Sequence, residues 1–329
     1  MGENKGVQYL FLQAVFPGFS YLIGKSLVFK KLENKDIVYL FIVIGIAYSL
    51  TSFMSVFKEL IKNGFGSSDR AIPDFWTGQT QLATLMAASL HYNMLIPGIL
   101  VANYKYMKKI IIVILIVIYI MSLLCMFRLG SRTGIVITAL TFIFAILSLY
   151  LQQNIKQNLR LTFMLVLVTV VTINWFPLNL EAEYLSVLGQ RLQDPNASSS
   201  SSAGGRTERW EEAIANIGKY PLGWNGRYAH NLWLDAAKVS GVIPVIFLII
   251  FNVMNLFNLR KAFSLSGDNK GLNTVFVLFT AATFLFFFVE PVLEGAFFSF
   301  TTFCLFQGMI KKHLEINSTP NSLSGVQAI

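Results

Sequence analysis

The sequence has few of the residues that soluble enzymes commonly use for chemistry. It contains two cysteines and three histidines in 329 residues, and only 13% of its residues are charged. Soluble domains average about 25% charged residues, so this composition excludes an ordinary soluble domain. Cys125 and Cys304 both lie in apolar stretches, which argues against a disulfide framework and a thiol-ligated metal. The histidines are scattered and do not have the spacing to carboxylates that a metal site needs, so we predict no metal site.

Signature motifs of nucleotide-dependent chemistry are also missing from the sequence. The chain has no Walker-type loop, no dinucleotide-binding glycine pattern, no Gly-x-Ser-x-Gly and no Asp-rich nucleotide-sugar signature. We therefore expect no cofactor. Any energy that the protein uses must arrive with its substrate.

Apolar residues are what the sequence has in abundance, at 54% of the chain, with 29 phenylalanines. Long apolar runs predict membrane-spanning helices, because about 20 such residues cross the hydrocarbon core of a bilayer. The predicted spans are 7–29, 37–57, 82–104, 110–127, 135–151, 161–176, 242–257, 272–289 and 296–310. The expected fold class is therefore all-α: a polytopic integral membrane helix bundle of about nine spans with one large extracytoplasmic loop.

These spans divide the chain into four regions. A transmembrane bundle of about six spans covers 1–176, and a loop with short amphipathic helices covers 177–241. About three further spans follow at 242–310, and a polar cytoplasmic tail at 311–329 is expected to be disordered. Within the loop, the serine- and glycine-rich run at 198–205 is expected to be a flexible connector.

The distribution of basic residues predicts which ends of the spans face the cytoplasm. The net charge of +9 resides mostly in short loops beside apolar runs, which membrane topology explains better than nucleic-acid binding does. Alternate loops assigned to the cytoplasm contain Lys30, Lys31, Lys35, Lys105, Lys108, Lys109, Lys156, Arg160, Arg260, Lys261, Lys270, Lys311 and Lys312. The opposite short loops contain Lys58, Lys62, Arg70, Arg128 and Arg132. This asymmetry places the loop 177–241 outside the membrane.

The longest polar stretch of the chain runs from Gly204 to Gly241 and combines positive charge with aromatic side chains. Thr207 to Tyr220 has helical periodicity, with acidic residues in its first turn. A second short helix is predicted at about 230–239. A cationic loop in a mainly apolar protein indicates anion binding.

The first candidate motif, GSRTG, is a glycine-rich turn at the outer mouth of two spans. Arg132 in this turn combines a guanidinium with free backbone N–H groups at a helix start, which suits a phosphate. Arg128, just before the turn, is a candidate for substrate binding. The alternative is that Arg132 is an interfacial arginine that extends its charge to the polar surface.

The second motif, GRTERW, begins the predicted loop helix. Arg206 lies one helical turn from Trp210, and Arg209 lies on a neighbouring face. The two arginines are candidates for binding an anionic substrate, and Trp210 is a candidate for contacting its sugars. The alternative is a solvated amphipathic helix whose arginines pair with Glu211 and Glu212.

The third motif, AHNLWL, holds the one histidine of the outer loop, His230. Histidine serves as a general base near neutral pH, and Asn231 could orient a hydroxyl. The alternative is a helix-capping asparagine beside an incidental histidine.

Aromatic and basic residues near these motifs supply further candidates for substrate binding. Trp224 and Tyr228 could stack on sugar rings, as could Trp210 and Trp233, and Arg227 adds a positive charge beside them. Anchoring at the membrane interface explains the aromatic residues almost as well.

The order of these motifs is specific. SRTG between two spans, then GRxxxW, PxGW and HNLWL in a long outer loop, then a glycine and a span, resembles the O-antigen polymerase and O-antigen ligase family of bacterial envelope glycan enzymes. The likeness covers 128–257 best, with DFWTGQTQLATLMAA at 74–88 a looser match. The resemblance implies that Arg132, Arg206 and His230 are the catalytic positions. It also implies an all-helical bundle in the bacterial cytoplasmic membrane, with the loop on the periplasmic or extracellular side.

The resemblance further implies the reaction and the partners. The donor would be an oligosaccharide on undecaprenyl pyrophosphate, embedded in the lipid bilayer, and the enzyme a metal-independent glycosyltransferase that inverts the anomeric centre. We favour a polymerase, whose acceptor is the hydroxyl of another lipid-linked repeat unit, over a ligase, whose acceptor is the lipid A core. A chain-length regulator and a flippase of the same pathway are the expected protein partners. The alternative from another class is a flippase or transporter that binds the same lipid without chemistry.

Overall fold

Helices dominate the part of the chain that the structure describes. The computed structural model describes residues 3–65, 71–152, 154–175, 182–187, 189, 206–265, 270–293 and 295–318. Its α-helices are α1 (Glu3–Leu27), α2 (Asn34–Asn63), α3 (Ala83–Leu90), α4 (Ile96–Asn103), α5 (Lys109–Leu129), α6 (Arg132–Gln152), α7 (Ile155–Trp175), α8 (Arg206–Lys219), α9 (Leu232–Ser240), α10 (Val242–Leu265), α11 (Lys270–Val289) and α12 (Phe297–Ser318). Short 3-10 helices lie at His91–Leu95, Tyr104–Tyr106 and Glu183–Leu185.

Several of these helices are long and apolar enough to cross a membrane. Among the described residues, five segments meet that condition by length and composition: Asn34–Asn63, Ala83–Tyr106, Lys109–Leu129, Val242–Phe263 and Lys270–Val289. Large apolar side chains such as Ile114 on α5 and Phe247 on α10 are exposed on the surface of the bundle, where lipid would cover them. The chain is therefore an all-α membrane protein, as the sequence predicts.

Aromatic side chains fill the centre of the bundle. Phe41 on α2 stacks on Phe306 of α12, with ring centroids 4.6 Å apart, and meets the edge of Phe279 on α11 at 5.1 Å. Helices α1 and α12 approach each other closely at Gly24 and Gly308. A Cβ at either glycine would overlap backbone atoms of the facing helix. Small residues that let backbones approach are the usual basis of helix association in membranes.

The third predicted span, 82–104, is a helix with a break. Its middle, His91–Leu95, is a 3-10 helix in which every residue is buried, and Pro97 lies in the first turn of α4 that follows. Proline has no N–H to donate, so an α-helical ladder cannot continue through it. Asn93 in the break donates a hydrogen bond to Ser122 of α5 at 2.9 Å, which gives part of this polar stretch a partner inside the bundle.

The expected disordered tail is corrected for residues 311–318, which form the last two turns of α12. His313 and Leu314 are buried there, and Glu315 accepts a hydrogen bond from Lys25 of α1 at 2.8 Å. The sequence does not indicate the contact between Lys25 and Glu315, because the two residues are 290 positions apart. Residues 319–329 and the serine- and glycine-rich run at 198–205 lie outside the described residues.

A small antiparallel hairpin, which the sequence analysis did not predict, follows α2. Its strands are β1 (Ala71–Pro73) and β2 (Thr80–Leu82), with Ala71 opposite Leu82. Asp74 closes the turn, because its Oδ1 accepts hydrogen bonds from the backbone N–H groups of Trp76 and Thr77 at 3.0 and 2.9 Å. Asp is a common turn residue for this reason.

Candidate active site

Glu290, directly after α11, joins two of the predicted motifs. Its Oε1 accepts a hydrogen bond from the Thr133 hydroxyl at 2.5 Å and lies 3.7 Å from Nη2 of Arg206. Glu290 is only 6% exposed, so its charge depends on these partners more than a surface carboxylate would. The GSRTG turn and the start of α8 therefore meet at one carboxylate.

The GSRTG turn is shaped by its small residues. Gly130 ends α5 in the left-handed conformation, with φ of +58°, and a Cβ there would lie 2.8 Å from the Val187 side chain. The Ser131 hydroxyl then accepts a hydrogen bond from the Gly134 N–H at 3.1 Å, which caps the first turn of α6. Arg132 thus occupies the first position of α6, half-buried, beside the Thr133 that contacts Glu290.

Arg128 has a different environment from the one predicted. It lies in the last turn of α5 and is 1% exposed, the largest fully buried side chain in the described chain. A guanidinium enclosed to this extent is not accessible to a substrate in this structure. Arg128 therefore packs inside the protein next to the GSRTG turn. Its sequence neighbour Arg132, four residues later, is the accessible arginine.

His230 has an unusual backbone conformation held by a buried carboxylate. Its φ of +54° is the one positive value among the described non-glycine residues. Asp235, which is 0% exposed, accepts hydrogen bonds from the N–H groups on either side of it, Ala229 at 2.6 Å and Asn231 at 3.2 Å. The Trp210 indole N–H donates to the Ala229 carbonyl at 2.9 Å. Non-glycine residues in strained conformations occur often at functional sites, where the surroundings enforce them.

The side chain of Asn231 caps α9. Its Oδ1 accepts hydrogen bonds from the N–H groups of Trp233 and Leu234 at 3.1 and 3.2 Å, and its Nδ2 donates to the Phe288 carbonyl at 3.3 Å. These bonds agree with the helix-capping alternative, and they leave Asn231 (5% exposed) engaged with the protein rather than with a substrate. They also tie the residue after His230 to the end of α11, two residues before Glu290.

Burial and two nearby positive charges lower the pKa of His230. Burial is the largest cause, followed by the positive charges of Arg209 and Arg206, and together they bring the pKa from 6.5 to about 4. The imidazole is therefore neutral at neutral pH, with a nitrogen able to accept a proton. The hydrogen bond from Trp210 to Ala229 independently joins the His230 loop to α8, the helix that carries both arginines.

Replacing Arg209 with glutamine is expected to raise the pKa of His230 above about 4. Removing a nearby positive charge favours the protonated imidazole, while burial, the larger cause, keeps the value below 6.5. The pKa can be followed by NMR of protein labelled with ¹⁵N-histidine. Arg227→Gln is the matched control, because Arg227 is exposed and is not among the causes of the shift. Equal shifts in both variants, or none in Arg209→Gln, would contradict this arrangement.

Asp235→Ala is expected to destabilise the fold by about 2–4 kcal/mol, because it leaves two buried backbone N–H groups without their charged acceptor. Thermal unfolding in detergent micelles measures the loss. Asp74→Ala is the control, since Asp74 also accepts two backbone N–H bonds but lies where water can replace it. Similar destabilisation in both variants would show that Asp235 has no special role.

The aromatic candidates differ in accessibility. Trp233 packs on Phe288, Phe284 and Phe287, with ring centroids 4.5, 6.2 and 6.5 Å away, so it belongs to the core rather than to a sugar-stacking surface. Trp210 holds the His230 loop through its indole N–H. Neither role was predicted.

Trp224, Tyr228 and Arg227 lie between α8 and α9. The backbone N–H of Trp224 donates to the Lys238 carbonyl at 3.0 Å, and the Lys238 ammonium lies 4.0 Å from the centroid of the Tyr228 ring. Both aromatic side chains are half-buried, and Arg227 is exposed. These three residues keep the accessibility that substrate binding would require.

Glu290, Thr133 and Asp235 are the site residues that the sequence analysis did not select. Glu290 had a signal: it is an acid that directly follows a phenylalanine-rich apolar run, and ionisable residues at such positions commonly mark functional sites. Asp235 had none, because an acid in the first turn of a short helix is ordinary. Among the described residues, no group of three or more histidine, cysteine, aspartate or glutamate side chains could hold a metal ion.

Comparison of the chain with models of known protein families and with curated proteins found no match. The case for a function therefore rests on the motifs and on how their residues are arranged.

Proposed function

We propose that the protein is a membrane glycosyltransferase that joins glycans carried on undecaprenyl pyrophosphate, most simply a polysaccharide polymerase of the bacterial cytoplasmic membrane. The observation that carries this proposal is the convergence of the three motifs at the end of α11. Glu290 contacts Thr133 and Arg206, and Asn231 contacts the carbonyl of Phe288. Segments separated by long stretches of chain thus bring arginines and a neutral histidine together.

The arginines would bind the pyrophosphate of the donor. Arg206 is a quarter exposed and is oriented by Glu290, while Arg132 occupies the first position of α6. A guanidinium offers several donors in a fixed plane, which suits phosphate oxygens. When the sugar–phosphate bond breaks, negative charge grows on the departing pyrophosphate, and fixed positive groups stabilise that charge.

His230 would act as the general base. The acceptor hydroxyl oxygen attacks the anomeric carbon, its proton passes to the imidazole, and the bond from that carbon to the pyrophosphate oxygen breaks, releasing undecaprenyl pyrophosphate. A single displacement of this kind inverts the anomeric centre. The bound pyrophosphate would also offset the positive charges of Arg209 and Arg206 that lower the pKa of His230, so the base becomes stronger when the donor is present.

The proposed topology has nine membrane crossings. They are α1, α2, the broken segment α3–α4, α5, α6, α7, α10, α11 and α12, with the site at the outer ends of α5, α6 and α11. Contacts at one end of the bundle agree with this arrangement, because the carboxylate of Glu290 reaches both the start of α6 and the start of α8. The basic residues of the sequence concentrate at the other end.

Single cysteines at Leu222 and Lys105 are expected to react from opposite sides of the membrane. Both side chains are exposed, one between α8 and α9 and the other between α4 and α5, and the native cysteines are buried. A membrane-impermeant maleimide should label Leu222→Cys on intact cells, and should label Lys105→Cys only after the membrane is opened. Labelling of both from outside would rule out this topology.

Glycan analysis of a strain lacking the gene tests the function. Loss of a polymerase leaves single repeat units on an otherwise normal acceptor, which mass spectrometry of the purified surface glycan detects. Loss of a ligase instead leaves the acceptor bare while full-length polymer accumulates on its lipid carrier. An unchanged surface glycan, or repeat units confined to the cytoplasmic leaflet, would contradict the transferase proposal.

A further inference from the structure

A groove is lined in part by residues that closely follow Glu290 in the chain. It has a volume of about 530 Å³ and is bounded by α2, the hairpin, α3 and the first turns of α12. Gly295 and Ala296 form part of its wall, five and six residues after Glu290. The groove wall therefore lies within six residues of the carboxylate that contacts Arg206, which with Arg132 and Arg209 we call the arginine cluster.

Several hydroxyl groups that line the groove donate hydrogen bonds to backbone carbonyls of the protein. Thr301 and Thr302 donate to the Phe298 carbonyl at 2.9 and 2.8 Å, and Ser89 donates to the Leu85 carbonyl at 3.3 Å. A hydroxyl that donates inwards presents its remaining lone pair as an acceptor. The wall of the groove is therefore suited to a ligand that brings hydrogen-bond donors.

The hairpin adds the carboxylate of Asp74 to this wall and places an aromatic ring beside it. The hydrogen bonds that close the hairpin turn go to Oδ1 of Asp74, and they hold the pKa of that carboxyl below its usual value, so it is ionised at neutral pH. Trp76 is 67% exposed, and its indole N–H is bound to the Thr51 hydroxyl at 3.3 Å, which fixes the ring at the rim. An exposed ring beside hydroxyl acceptors and a carboxylate is a usual combination for holding a sugar.

The charge of the groove separates it from the pyrophosphate site. The described residues that line it include no lysine, arginine or histidine, and its one charged group is Asp74. A phosphate would be repelled here, whereas an uncharged polyol supplies the O–H donors that the wall accepts. We infer that this groove binds the uncharged sugar rings of a glycan through their hydroxyl groups. This inference rests on the proposed function, in which the same glycan carries its pyrophosphate to the arginine cluster.

Calorimetry on the full-length protein in nanodiscs tests the groove. The first probe is the repeat-unit oligosaccharide released from its lipid carrier by mild acid, and the second is sugar-free undecaprenyl pyrophosphate. Asp74→Asn keeps an oxygen for the hairpin turn but replaces an acceptor by a donor, and Thr302→Val keeps the shape of the side chain. We expect about a tenfold loss of oligosaccharide affinity in Asp74→Asn and a smaller loss in Thr302→Val, with the affinity for the second probe unchanged.

Thr274→Val is the matched control, because Thr274 makes the same kind of backbone hydrogen bond, to the Lys270 carbonyl at 2.9 Å, at the other end of α11. It should bind both probes as the unmodified protein does. Wild-type oligosaccharide affinity in both groove variants would overturn the inference. Loss of oligosaccharide binding in these variants, in a protein that fails to bind undecaprenyl pyrophosphate, would support the groove and count against the proposed function instead.

Discussion

Replacing His230 with asparagine is expected to reduce turnover by about 10²–10⁴, the usual effect of losing a general base. Asparagine tolerates the left-handed conformation that His230 adopts, at φ of +54°, so the Asp235 hydrogen bonds on either side can remain. An alanine would add backbone strain to the loss of the imidazole. The asparagine variant therefore separates the chemistry of the side chain from the shape of the loop.

The rate is measured as polymer formed from lipid-linked repeat units by purified protein, together with the affinity for the donor. Donor binding should persist, because binding is assigned to the arginines. His230→Gln keeps hydrogen bonding without a titratable nitrogen and should fail in the same way. Normal polymer formation by either variant would show that His230 is a positioning residue. Catalysis would then rest on the arginines alone, through stabilisation of the leaving group.

Arg206→Ala is expected to lower kcat/KM by about 10²–10³, the loss typical of removing one group that stabilises developing negative charge. Arg206→Lys should recover only part of this, because lysine keeps the charge but not the planar set of donors. Arg160→Lys serves as the control, since Arg160 is an exposed arginine in α7 that the sequence assigns to the cytoplasmic side. The measurement is the initial rate at varied concentrations of the lipid-linked donor.

Glu290→Gln helps to interpret that result. Glutamine can still accept the hydrogen bond of Thr133, but it has no charge to hold Arg206. If Glu290 positions Arg206, then Glu290→Gln should lower kcat, and Glu290→Asp, which keeps the negative charge, should lower it less. Full activity in both Arg206→Ala and Arg132→Ala would show that these arginines only anchor the protein at the membrane interface.

Much of the helical layout could be predicted, because apolar runs and their boundaries are local properties of the sequence. Gly130 and Gly241 mark helix ends in the structure, as glycine usually does, and helices occur at every predicted span. The break at His91–Leu95 was missed although His91 and Asn93 make this stretch more polar than its flanks, because a span is predicted from hydropathy averaged over its whole length. The end of α12 was missed because its contacts are made with a helix at the start of the chain.

Part of the candidate site could be proposed from the sequence, because some of its residues lie in local motifs. Arg132, Arg206 and His230 belong to recognisable local motifs, whereas the residues that join them depend on distant contacts. Thr133 and Glu290 are 157 positions apart, and no local pattern indicates that they meet. The burial of Arg128 and the capping role of Asn231 likewise follow from packing that a linear sequence does not display.

Reconstitution tests the central proposal most directly. Purified protein in vesicles would be supplied with repeat units on undecaprenyl pyrophosphate, without nucleotide or added metal, and the products examined by mass spectrometry and by NMR of the new glycosidic bond. We predict oligomers of two or more repeat units, one free undecaprenyl pyrophosphate for each bond formed, and an inverted anomeric configuration. Unchanged donor, or donor moved to the other leaflet without any new glycosidic bond, would contradict this account.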